Sequence, residues 1–261
     1  MYQLPLTKII IGAFLVPWWN RQHFLSALAL PTLLLACIWG IWTLFPQGES
    51  ILASWSFALI YSFGACIFAV TCHRLILIEN NQYGEHFKLR ITNREFKFAV
   101  FLIGVYILFS LAHVIPMTFV VNVFSEVIFD NVQVIEGNSG KSSESNSILA
   151  IVQFITSLPA IYILGRFSLV FPAIAVDEKC TLKQSWIHTK NNGLKMFVIV
   201  GVMPWVLGYI LSLLWRADQT IIEQAFIAII MYIIMAIEIF ALSLVYKEMR
   251  SSGNINSNKV N

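Results

Sequence analysis

The sequence predicts an all-α membrane protein: a polytopic transmembrane bundle of six helices with interfacial amphipathic helices and both termini on the cytoplasmic side. Three observations carry that expectation. Of the 261 residues, 58% are hydrophobic and 12% charged, with a mean hydropathy of +0.74, whereas about 25% of a soluble domain is charged. Six apolar runs, at 24–45, 51–71, 98–121, 148–175, 196–215 and 221–245, reach the roughly 20 residues that cross a hydrocarbon core of about 30 Å. With the N-terminus inside, fourteen of the seventeen Lys and Arg residues fall in cytoplasmic segments, Lys141 and Arg216 fall outside and Arg166 lies in the membrane. Such a bias of short loops sets orientation.

The net charge of +3 follows from basic residues placed beside anionic lipid, so no nucleic-acid partner is implied. The four cysteines form no CxxC or Cys/His cluster, and neither a disulfide framework nor a metal or cofactor site is expected.

Residues 5–18 are apolar but too short to span. They end at Trp18 and Trp19, side chains suited to headgroup level, and predict an interfacial helix. The segment lacks a basic leader and a small-residue cleavage site, so it is read as retained. Span one holds Pro31, and "FPQGES" turns into span two, which runs out through "TCHRLILIENNQYGEHFKLRITNREFK". His73 and Arg74 should reach the inner interface. Two readings stay open: a snorkelling anchor, or an anionic-headgroup site shared with Lys88, Arg90 and Arg94.

Span three carries His113 and Pro116. His113 is read either as an interhelical hydrogen-bonding group or as part of a proton relay, with Gln153 of span four as its neighbour. The external loop 126–146 is Gly/Ser/Asn-rich in its second half and is expected to be flexible. Its "GNSGKSS" fails the phosphate-loop pattern, because Ile135 stands where GxxxxGK[ST] needs glycine.

Arg166 lies about ten residues before Asp177, which on a continuous helix at ~1.5 Å per residue places it near mid-membrane. A guanidinium there needs a partner, and Glu238 is the acid at matching depth. The two are therefore expected to form an intramembrane ion pair. The pair would act as a clamp between spans four and six or mark a ligand or lipid-phosphate site, and the remaining reading is an arginine that snorkels inward. After Pro172, Thr181 is expected to cap a short interfacial helix with Leu182, Ser185, Trp186 and Thr189 on one face, and Asn192 and Gly193 to end it. Lys183 and Lys190 are its candidate headgroup contacts. Ser185, His188 and Lys183 have no orienting acid or oxyanion element and are not read as a nucleophile system.

The run R-x-x-L-V-x-P-A-I-A-V-D-E from Arg166 to Glu178, followed by L-K-Q-S-W-x-x-T-x-x-N from Leu182 to Asn192, resembles the signature of a broad group of bacterial six-span proteins. The group includes the uncharacterised YciC family and the membrane domain joined in some bacteria to a glycerophosphodiester phosphodiesterase. "HRLILIE" at 73–79 is similar to related members. The resemblance implies a helical bundle in a bacterial inner membrane. It carries over no catalytic residue, because the phosphodiesterase chemistry belongs to a separate soluble domain. A disordered cytoplasmic tail is expected at 251–261. The functional expectation is a non-enzymatic structural or accessory component of a membrane or envelope complex, with a membrane-protein partner or a second copy. The rival is a transporter or lipid-handling protein with a midplane cavity at Arg166.

Overall fold

The structure is a computed structural model that describes residues 3–19, 21–44, 51–78, 92–136, 142–214 and 220–252. Lys88, Arg90 and the tail from residue 253 lie outside the described residues, and among those described there is no strand. The helices are α1 (Leu6–Trp19), α2 (Arg21–Leu44), α3 (Ile51–Leu77), α4 (Asn93–Glu136), α5 (Ser142–Phe167), α6 (Val170–Ala175), α7 (Leu182–His188), α8 (Gly193–Phe197), α9 (Met203–Ser212) and α10 (Ile221–Ser251). Six helical stretches are long and apolar enough to cross a membrane.

Helix α10 is the central post. It packs against α1, α2, α3, α6 and the composite fifth span, and its Tyr232, Phe240, Ala241, Val245, Tyr246 and Met249 are buried among Leu35, Phe68, Leu169, Met196 and Ile199. A second cluster joins α3, α4 and α6 through Cys66, Val70, Phe98, Val105, Val170 and Phe171. Helix α1 lies along the end of α10: Ile9, Ala13 and Val16 are buried, Lys8 bonds Glu248 at 2.6 Å, and Trp18 and Trp19 are exposed.

Three expectations change, and span five shows a change of winding. Helix α4 does not stop near residue 121. It runs 44 residues to Glu136, about 66 Å at ~1.5 Å per residue, and α5 starts at Ser142. Residues 126–136 and 142–146 of the expected loop are therefore helical, and 137–141 lie outside the described residues.

Span four is not one rod. It breaks after Phe167 and resumes as the six-residue α6, so counting ~1.5 Å per residue from Asp177 overstates the depth of Arg166.

Gly193 does not terminate α7. A 3₁₀ turn, Lys190–Asn192, follows α7, and Gly193 opens α8.

Span five changes its winding, because Val198–Val202 is a π turn directly before α9. Pro204 supplies the reason: it has no N–H for the carbonyl four residues back and its ring would strike that carbonyl, so the chain widens there.

Candidate functional site: the polar end of the bundle

The ends of α3 and α10, the starts of α1 and α4, and the whole 166–195 segment meet at one end of the bundle. Arg166 organises that segment. Helix α7 has seven residues, and the last four carbonyls of any helix lack partners within it. The buried Arg166 guanidinium donates to the carbonyl of Thr189 at 3.0 Å and to that of Trp186. It also lies 4.4 Å from the Trp186 ring centre, with Tyr162 at 6.0 Å. The contact is reciprocal, because the Arg166 carbonyl, at the end of α5, accepts from Ser185 Oγ at 2.8 Å and Thr189 Oγ1 at 3.3 Å. A cation at a helix C-terminus is favoured by the helix dipole, and the flat guanidinium stacks on indole. Its Nε is buried without an acceptor among the described residues.

Arg166 and Glu238 do not pair. No contact joins the two side chains, and span five packs against both α5 and α10. Its Gly193 and Gly201 side meets Tyr162, Arg166 and Ile161 of α5, whereas its Met196, Ile199 and Met203 side joins the α10 core. The expected clamp between spans four and six is not what Arg166 forms: its partners are the carbonyls of α7 and not a carboxylate on α10.

Sequence position brings the rest of the polar end together through Asp177 and Glu178. Arg94 grips Asp177 with both Nε, at 3.0 Å, and Nη2, while Arg74 Nη1 donates to the Ala175 carbonyl at 3.2 Å and stands 3.9 Å from Asp177 Oδ2. Glu178 accepts from Tyr246 Oη and pairs with Arg250 at 2.9 Å. Asn192 Oδ1 accepts the Leu4 N–H at 2.9 Å, and Lys195 Nζ donates to the Leu4 carbonyl at 2.7 Å, which ties the start of the chain to span five.

The headgroup set therefore divides. His73 is enclosed by protein and not open to headgroups: the residue is 2% exposed and its Nδ1 lies 2.8 Å from Ser243 Oγ. Because that hydroxyl donates to the Ile239 carbonyl, Nδ1 carries the proton and His73 is the donor. Arg74 and Arg94 face Asp177. Lys183 and Lys190 are exposed, and Thr181 caps α7 as expected, through a reciprocal box with Gln184.

Farther along α4, His113 Nδ1 lies 3.1 Å from Ser157 Oγ, which itself donates to the Gln153 carbonyl at 2.6 Å. His113 thus bridges α4 and α5 through Ser157, and the Gln153 side chain is exposed.

The sequence reading missed Asp177, Glu178, Asn192 and Tyr246 as binding partners. The acidic pair closing an apolar run was the available signal. Compared with known proteins, the chain matches no family model, no curated protein and no solved structure.

Proposed function

We propose that this protein is a non-enzymatic multi-pass component of a bacterial inner membrane, with both termini cytoplasmic, that serves as a structural or accessory part of a membrane or envelope complex. The supporting observation is the direction of its polar bonds. Arg166, Arg74, Arg94, Asp177, Glu178, Tyr246 and Asn192 join one helix of this chain to another, which is the arrangement of a scaffold held in one geometry. The Lys/Arg distribution supports the orientation, since the polar end gathers Lys8, Arg74, Arg94, Lys183, Lys190, Lys195 and Arg250. The resemblance of the 166–192 run to six-span inner-membrane proteins supports the compartment.

The test is native mass spectrometry of wild type and Arg166→Ala released in lipid-preserving particles. The expected result is one unchanged lipid complement with a lower melting temperature for the variant. Loss of a specific lipid or anion on substitution, or movement of a solute or lipid by the wild type in liposomes, would overturn the reading in favour of lipid handling or transport.

A further inference from the structure

Arg74 and Arg94 come from the ends of two different spans, and each is held from behind. Arg74 is fixed by the Ala175 carbonyl, and Arg94 Nη1 stands 3.9 Å from Glu95 Oε1. The other oxygen of Glu95 is engaged by the N–H and hydroxyl of Thr92, so Glu95 caps α4 and lies to one side. Among the described acids, Asp177 is the one that hydrogen-bonds a guanidinium here, on Arg94, while it stands 3.9 Å from Arg74. The exposures are unequal in an informative way: the two arginine side chains are 13% and 18% exposed, and the carboxylate between them is 61% exposed. The acid sits on the open side of a mostly buried, preformed pair of guanidinium forks. Its backbone, at φ 61°, is the left-handed cap of α6, closed by the Asp177 N–H on the Ile174 carbonyl at 3.1 Å and the Glu178 N–H on the Ala173 carbonyl at 2.9 Å, so the helix end sets where the carboxylate starts.

We propose that Arg74 and Arg94 form a binding site for a phosphate group, and that Asp177 is its tethered occupant, displaced when a phosphate arrives. Phosphate offers the same bidentate oxygen geometry as a carboxylate with more negative charge. Both arginines stand at the polar ends of their spans, the level at which lipid phosphates are met. This goes beyond the accessory role and does not depend on it.

The test compares wild type, Asp177→Gly and Asp177→Gly/Arg94→Gln. Glycine removes the carboxylate and is at ease at positive φ, and Asp177→Asn serves as an isosteric second variant. Each protein is placed in nanodiscs of phosphatidylcholine doped with phosphatidylglycerol, and the ratio of retained lipids is read by native mass spectrometry. In parallel, the rise in melting temperature with inorganic phosphate is measured in detergent. Removing the carboxylate should enrich phosphatidylglycerol by roughly tenfold, the order expected for losing one bidentate competitor, and Arg94→Gln should abolish the gain. Stabilisation by inorganic phosphate without lipid enrichment would assign the site to a soluble phosphate. Neither effect in variants that still melt cooperatively, or a gain that survives Arg94→Gln, would overturn the proposal.

Discussion

At the scale of single residues, the buried arginine is balanced by peptide carbonyls, and this makes a quantitative statement about its supposed partner. Arg166→Ala removes two charge-assisted hydrogen bonds and an indole contact and should cost about 3 kcal/mol. Lysine cannot fork to both Trp186 and Thr189, so Arg166→Lys should recover only part of the loss. Because the two side chains share no contact and no partner, the Arg166→Ala and Glu238→Gln effects should add to within about 0.5 kcal/mol. Melting of the four proteins of that cycle in one detergent checks this, and a coupling well above that would restore the direct pair.

Cys180 offers a second residue-scale check. Burial first, and the nearby Glu178 carboxylate second, push its thiol from the ordinary 9.0 up to about 11. A raised value means that the folded state favours the neutral thiol. The corresponding stabilisation is whole below pH 9 and is lost as the pH rises through about 11. Alkylation of the Cys180 peptide, followed by mass, should still accelerate between pH 9 and 11 in the folded protein and level off above pH 9 in the unfolded one.

At the scale of elements, α5 and span five approach each other closely at glycines. A methyl at Gly201 would lie 1.9 Å from Ile161 Cγ2, and one at Gly165 would lie 3.2 Å from the Met196 backbone. Small residues let membrane helices approach until their backbones touch. Gly201→Ala should therefore destabilise by about 1–3 kcal/mol, and Ile161→Ala in the same chain should return part of it. Thermal melts of the single and double variants decide the point. A loss that Ile161→Ala leaves untouched would place its cause elsewhere. Gly193 obeys the same logic, since its missing side chain makes room for Tyr162 and Arg166.

At the scale of the whole molecule, α10 holds the bundle along its length, while the 166–195 segment draws the ends of the other helices together. If the polar end faces the cytoplasm, single cysteines at Lys183, Lys190 and Ser252 should react with a membrane-impermeant maleimide only when the cytoplasmic face is open. One at Ser142 should react from the opposite side. Labelling of all four from one face would contradict the six-span topology.

What the sequence determined by itself was that six stretches are long and apolar enough to cross a membrane. Apolar length and the shortage of charge are summed over twenty residues at a time, and no tertiary contact alters them. The Thr181 cap was also legible, because a capping box is complete within four residues. The partner of Arg166 was decided only by the tertiary structure. Depth along a helix can be counted, but the break after Phe167 and the packing of span five against both α5 and α10 cannot. The same holds for Arg74 and Arg94: their charges were visible as a basic segment, whereas their convergence on Asp177 depends on three chain segments meeting. Local chemistry is written in short windows of sequence, and the choice of partner is a property of which helices pack side by side.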